Sequence, residues 1–468
     1  MSLEKLHPAR RTASHILDLV DADRGDVAGT LYSHIDRVAD RALLTDLVFG
    51  VVRNRSCIDN VICRISQVPS DRISPELLNI LRVGVYEIIF CPDREMYAIV
   101  SETMKETRGL SDKRRGFVNA VLRKTCRLIA ERSTSLPAAP PTFTVPVTPD
   151  RGCRFSIGML ADPAQNPGQY LSSAFSLPQW LVEGWVNAYG FEDAMQACFG
   201  SNRRPSIYIR PNTIKADGME LFRRFRQEQI ECDIVIDDGL MLQTKSGRPI
   251  EKLPGYAEGF FSVQDITSSE AVRMLAPQPG WNVLDMCAAP GGKTIQIAQI
   301  MNDQGTITAT DFDAVRLERV KHNIERLGIR SVKIMPYTAV ADMIAAAHGS
   351  VHGKVPLGGF DAVLVDVPCS NTGVMARRCE VRCRIRRAAI DSLTAIQRKL
   401  LAEAMALVRP GGRVCYSTCS IEPAENQEVV RHLLGENQAF ELLAEQLTLP
   451  AAGRIDRDGG YAAVIRKG

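Results

Sequence analysis

From residue 266 onward the chain alternates short apolar runs, WNVLDMC, GTITATD, SVKIMPY, FDAVLVD, GRVCYST and the closing GYAAVIRK, with stretches of helical period. Strands separated by helices must return by crossovers, so this pattern predicts βαβ units and a parallel sheet covered on both faces. In such sheets ligands bind beyond the carboxyl ends of the strands, near the point where the strand order reverses. The stretches to examine for chemistry are therefore 285 to 294, 311 to 316, 366 to 373 and 417 to 420.

The rest of the chain is organised differently. At 468 residues it exceeds one ordinary core, which predicts two or three domains. Residues 8 to about 130 carry helix-period runs such as RALLTDLVFGVVRN and PELLNILRVGVYEIIF without strand alternation, so an all-α domain is expected over 1–132. The proline-rich SLPAAPPTFTVPVTPDRG cannot be helix interior and reads as a linker over 133–165. A helix, the strand-like SIYIRPN and a further helix then imply a small α+β domain over 166–265, ahead of a Rossmann-like domain over 266–468.

Lys and Arg outnumber Asp and Glu by only three, so net charge neither requires nor excludes a nucleic-acid partner. Local patches are more informative. The helical domain carries Arg10, Arg11, Arg53, Arg55, Lys113, Arg114, Arg115, Arg123, Lys124 and Arg127, either solvated helix faces or an RNA-contacting face. NRRPSIYIRPN interleaves Arg203, Arg204 and Arg210 with Tyr208, suited to phosphate contact and base stacking or else an ordinary amphipathic strand. The N-terminus lacks an apolar signal core and no run of about 18 apolar residues occurs, so a cytoplasmic protein without a membrane span is expected. Thirteen cysteines in a reducing compartment should be mostly free thiols.

DMCAAPGGKT follows the first strand of the last domain and opens a helix. Pro290, Gly291 and Gly292 permit a tight turn that brings backbone N–H groups to a ligand at a helix N-terminus. A nucleoside-triphosphate loop would need glycine where Cys287 stands, five residues before Gly292-Lys293-Thr294, although Asp366 ends a run that resembles a Mg-binding strand. Asp311 closes the second strand, where a carboxylate can accept hydrogen bonds from ribose hydroxyls. An acid for ribose without a pyrophosphate loop suits S-adenosylmethionine.

Cys369 in VDVPCSNTG and Cys419 in CYSTCS fall at the ends of two neighbouring strands. A thiolate there is suited to adding at C6 of a pyrimidine, which makes C5 nucleophilic enough to accept a methyl group. Two C-x3-C pairs, Cys379 with Cys383 and Cys415 with Cys419, raise zinc as an alternative. Their surroundings, an apolar strand and the arginine-rich ARRCEVRCRIRR, argue against it, and no metal is expected. That arginine-rich segment is instead a candidate to hold a phosphate backbone.

In order, VQD, DMCAAPGGKT, TDFDAVRLERV, DVPCSNTGVMARR, RPGGRVCYSTCSIEPAEN and DGGYAAVIRK resemble the motifs of the Sun/Fmu-type (RsmB-like) ribosomal RNA cytosine-C5 methyltransferases. DRALLTDLVFGVVR, ILRVGVYEI and GFVNAVLR resemble the NusB-like RNA-binding helical domain fused to these enzymes. The resemblance implies a class I S-adenosylmethionine-dependent methyltransferase domain and small-subunit (16S) rRNA as partner; a monomer is expected. It makes Cys419 the nucleophile, Cys369 the residue that assists product release, and Asp366 the acid at the base edge and cofactor. Cys287, Ala288, Ala289, Pro290, Gly291, Gly292, Lys293, Asp311 and Arg316, together with Asp366, would bind the cofactor. Another RNA as substrate, tRNA included, and a non-catalytic RNA-binding ribosome-assembly protein are the alternatives. In MPYTAVAD, Tyr337 stands near the place where the family has an aspartate on adenine, and Cys379 and Cys383 stand where it has a proline and an aromatic.

Overall fold

The computed structural model describes residues 7–23, 26–236, 240–244, 246–347 and 359–468. The chain forms two compact units, residues 1–203 with 375–384, and residues 204–374 with 385–468.

The first unit begins with helices from Ala9–Asp23 to Asp112–Leu128. PELLNILRVGVYEIIF is apolar around nearly its whole circumference, as a central helix must be, and every residue from Leu77 to Ile89 of the helix Pro75–Phe90 is buried. Its buried polar groups are paired. Glu87 accepts from Arg10 at 2.6 and 2.8 Å and from Arg94 at 2.6 Å, and Arg82 grips Asp59 with two 2.7 Å bonds. Arg55 likewise pairs with Asp21 at 2.5 Å. Arg10 and Arg55 are thus engaged in ion pairs, while Arg11, Lys113, Arg115, Arg123 and Arg127 stay exposed.

The stretch expected as a linker is folded. β1 (Ile129–Ser135), β2 (Thr144–Pro146) and β3 (Arg151–Phe155) form an antiparallel sheet in the order β1-β3-β2. Prolines exclude helix interior but not an edge strand, and β2 lies at the edge with Pro146 as its last residue. Three helices, Pro167–Phe175, Gln179–Tyr189 and Phe191–Asn202, fall in this compact unit.

Residues 375–384 also pack in the first unit, and the reason is Arg382. It is 4% exposed, and its guanidinium donates to the carbonyls of Arg53 (2.5 Å), Phe175 (3.2 Å) and Ser201 (2.9 Å) and to Asn202 Oδ1 (2.8 Å). Those acceptors lie at the C-termini of three helices, where carbonyls lack partners and the helix dipole favours a cation. Arg53 answers by donating to the Ala376 carbonyl. Arg382 therefore cannot serve the phosphate backbone.

In the second unit, β4 (Ile207–Pro211), β5 (Cys232–Ile236), β6 (Met241–Thr244) and β7 (Phe261–Val263) make an antiparallel sheet in the order β5-β6-β4-β7. The helix Gly218–Gln227 lays Leu221 and Phe225 on Ile209, Leu242 and Phe261. Tyr208 is buried with its hydroxyl on the Asp456 carbonyl, and Arg210 is buried on Gln264, Gln299 and the Gly292 carbonyl. SIYIR is therefore a structural strand, not an RNA surface.

The large sheet comprises β8 (Asn282–Asp285), β9 (Thr306–Ala309), β10 (Val332–Ile334), β11 (Phe360–Asp366), β12 (Val408–Thr418), β13 (Phe440–Thr448) and β14 (Gly460–Lys467). Its order is β10-β9-β8-β11-β12-β14-β13, with β8 to β12 parallel and β14 antiparallel to both neighbours. The order reverses between β8 and β11, and their carboxyl ends open the cleft there. The architecture is an all-α N-terminal part, a small sheet domain and a Rossmann-like methyltransferase-type sheet.

Candidate active site

Asp285 ends β8 and the loop 286–291 leads into the helix Gly292–Ile300. Gly291 has φ +104°, a left-handed conformation that glycine adopts without strain, and it caps the helix without a side-chain hydrogen bond. The first-turn N–H groups are therefore left to a ligand, such as a carboxylate. Asp311, two residues past β9, accepts from Ala289 N at 3.1 Å, and Arg316 donates to the Ala289 carbonyl at 2.8 Å. Asp311 and Arg316 thus shape the loop from outside. Cys287 is a neutral thiol pushed well up by burial and then by Asp285, Asp366 and Asp311, so what it offers a ligand is backbone.

Asp285 is the residue that sequence reasoning left out. It is 1% exposed, its Oδ2 accepts from Thr294 at 2.6 Å, and its Oδ1 is buried with no hydrogen-bond partner among the described residues. Burial pushes its carboxyl up to about 7, against the Thr294 hydrogen bond and with help from Asp366. The only hint in the sequence was its place at the head of the 285–294 stretch. Asp285, Asp311 and Asp366 lie around one loop and could hold a cationic ligand that also carries a ribose and an amino-acid end, a description that S-adenosylmethionine fits. Tyr337, near the expected adenine position, lies under the exposed Phe312 with ring centroids 3.7 Å apart, and its hydroxyl donates to Glu403 at 2.5 Å.

The two cysteines are brought together. Cys369, three residues past β11, and Cys419, directly after β12, place their sulfurs 3.2 Å apart. Cys369 is buried and Cys419 is the more accessible. The Cys369 thiol is held well above its ordinary value, first by its hydrogen bond with Cys419, then by burial, by the charge of Cys419 and, after it, by that of Glu425, so it stays protonated as a donor. Cys419 Sγ also meets Asn371 Oδ1 at 3.4 Å, and Asn371 Nδ2 donates to the Cys369 carbonyl at 2.8 Å. Lys293 Nζ lies 2.7 Å from Asp366 Oδ2, and Ser417 donates to Asp366 Oδ1 at 2.7 Å. Burial alone would lower the Lys293 ammonium, but Asp366 and Cys419 outweigh it and raise it, so a fixed cation faces both. Asn371 and Ser417 were also missed, since neither residue type announces a role by itself.

The C-x3-C thiols have unlike surroundings. Cys379 is buried, Cys383 exposed, and Cys415 sits inside β12 with its thiol on the Ala271 carbonyl at 3.3 Å. Among the described residues no group of three or more His, Cys, Asp or Glu side chains is placed to hold a metal ion. No helix of the described residues is long and apolar enough to cross a membrane.

A five-stranded parallel core extended at one edge by the antiparallel β14 and then by β13, a glycine turn and acidic strand ends at the switch point define a Rossmann-like S-adenosylmethionine-dependent methyltransferase. Comparison with known proteins narrows the class. The description "16S rRNA methyltransferase RsmB/F" matches residues 272–459, the NusB family matches 7–127, and the ferredoxin-like domain of RsmF/B-like methyltransferases matches 177–247. The chain is 30% identical over 430 residues to a probable ribosomal RNA small subunit methyltransferase B of Synechocystis sp., spanning 91% of this chain and 88% of the relative. A Bacillus subtilis protein of the same description is 30% identical over 411 residues, 86% and 81% of the two chains. Among solved structures, PH0851 shares the fold with TM-score 0.69 at 24% identity, over 98% of this chain and 99% of that one. The chain belongs to the RsmB/F family of 16S rRNA methyltransferases.

Proposed function

We propose that this protein transfers a methyl group to C5 of a cytosine in small-subunit rRNA through a covalent bond between Cys419 and C6. The observation that carries this reading is the pair of sulfurs 3.2 Å apart at the ends of two adjacent strands, beside the cofactor loop. S-adenosylmethionine, when bound, supplies an electrophilic methyl group. Residues 287–293 and Asp311 hold it, Arg316 bracing the loop, with Asp285 opposite its positive end.

The substrate cytosine must leave the base stack to reach the strand ends. Cys419, charged as thiolate and accepting from the Cys369 thiol, adds to C6. Asp366 meets the N3 and N4 edge, where charge shifts as C6 is attacked, and Lys293 holds Asp366 in place. Once C5 is methylated, its hydrogen leaves as a proton taken up by water, the electrons of the C5–H bond restore the C5=C6 double bond, and the C6–S bond breaks. Cys369 then donates to the departing Cys419 sulfur, which makes it the better leaving group.

Cysteine-to-serine variants with labelled cofactor and small-subunit rRNA test the roles. Cys419→Ser should abolish transfer, and Cys369→Ser should accumulate a protein–RNA adduct that survives denaturation. An adduct that depends on Cys369 and persists without Cys419 would reverse the assignment.

A further inference from the structure

Glu425 is a fully buried carboxylate that the mechanism above does not use. Its Oε1 accepts from Ser370 N and from Gln397 Nε2, both at 2.9 Å, and its Oε2 accepts from the hydroxyls of Ser370 and Ser420, both at 2.5 Å. Among the described residues no lysine, arginine or histidine forms an ion pair with it. Four donors converging on one group are the hydrogen-bond complement of an ionised carboxyl, which only accepts.

Ser370 and Ser420 are the residues that follow Cys369 and Cys419. Glu425 therefore ties together the two backbones that carry the sulfurs. The tie is reinforced by Gly373 N on the Cys419 carbonyl at 3.0 Å and by Gln397 on the Pro368 carbonyl at 3.0 Å. An amide or hydroxyl in place of the carboxylate would bring donors of its own to a site already supplied with four. We propose that Glu425 is a positioning residue of the transfer site: it aligns the two sulfurs and fixes which of them carries the negative charge. Resting on the cysteine roles proposed above, the inference assigns the charge to Cys419. Of two thiols in contact, the one beside a second negative charge keeps its proton. Glu425 holds the Cys369 side twice, through Ser370 N and the Ser370 hydroxyl, and the Cys419 side once, through the Ser420 hydroxyl, and its charge adds to what holds the Cys369 thiol up.

The test is alkylation of the full chain by iodoacetamide from pH 6 to 9, with labelling at Cys369 and Cys419 read separately by mass spectrometry. The wild type should label at Cys419 first. Glu425→Gln should speed labelling of Cys369 about tenfold near neutral pH, the thiolate gain of one pKa unit, and move its pH midpoint down. Glu425→Asp, which keeps the charge, should restore the wild-type order. Unchanged rates and midpoints in Glu425→Gln would overturn the proposal. Should that variant not fold, Ser420→Ala removes one tie and keeps the charge: labelling of Cys419 should slow while Cys369 stays protected, and wild-type rates at both sulfurs would overturn the clamp. Alkylation needs neither RNA nor methyl transfer. An error in the proposed transfer chemistry would therefore leave this result standing, and a null result here would leave the transfer chemistry untouched.

Discussion

Replacing Asp285 by asparagine removes its charge and keeps its shape. The wild-type carboxyl is pushed by burial from its ordinary 3.8 up to about 7, with Thr294 opposing and Asp366 reinforcing. A carboxyl raised in the folded state still holds a proton that the unfolded chain has released, so stability falls as pH climbs from about 4 to about 7 and is level above that. At about 1.4 kcal/mol per unit the loss saturates near 4 kcal/mol. The replacement amide would keep a partner for Thr294 and bury no charge. Without ligand, Asp285→Asn is therefore expected to be more stable than wild type at pH 8, and the advantage should shrink by roughly 3 kcal/mol at pH 5. Urea unfolding of both proteins at pH 5, 6, 7 and 8 measures this, and calorimetry should show S-adenosylmethionine affinity at pH 8 falling at least about tenfold as its ammonium loses a counter-charge. An advantage that does not vary with pH, or a wild type that is the more stable at pH 8, would refute the reasoning.

Other perturbations have definite outcomes. Lys293→Met leaves Asp366 with Ser417 but without its ion pair and takes the fixed cation from Cys419, and the transfer rate should fall about a hundredfold with the fold retained by circular dichroism. Arg382→Leu strips several helix-end carbonyls of their donor and should cost about 3 kcal/mol or more, read as proteolytic cleavage within 375–384. A Cβ at Gly50 would fall 2.1 Å from the Tyr86 ring, so Gly50→Ala should cost about 1–3 kcal/mol of stability, read as a lowered melting temperature. Phe312→Ala removes the exposed ring stacked on Tyr337 beside Asp311, and S-adenosylmethionine affinity should drop about tenfold by calorimetry.

What could be read from sequence follows a physical divide. The parallel strands β8 to β12 were legible because a strand covered on both faces is an apolar run, and the strand ends then named Asp311, Asp366, Cys369 and Cys419 directly. β13 was not legible. FELLAEQLT consists largely of good helix formers and is mostly exposed, and it becomes a strand only because β14 offers an edge to pair with. The proline-rich stretch misled for the opposite reason, since proline forbids a helix but tolerates a sheet edge. Glu425 and Arg382 act through partners distant in sequence, among them Ser370 and Arg53, and no local pattern marks such residues. The basic and aromatic residues of SIYIR left an RNA-contacting surface and an ordinary amphipathic strand open, because their partners Asp456, Gln264 and Gln299, which satisfy them in the interior, lie in distant segments.

The most direct test of the covalent account uses small-subunit rRNA carrying 5-fluorocytosine, whose C5 cannot release a proton after methylation. Incubated with S-adenosylmethionine, the wild-type protein should be trapped on the RNA, and peptide mass spectrometry should place the nucleotide on Cys419, with no adduct in Cys419→Ser. A nucleotide on Cys369, or normal methylation of cytosine RNA with no trapped species on the fluorinated one, would contradict it.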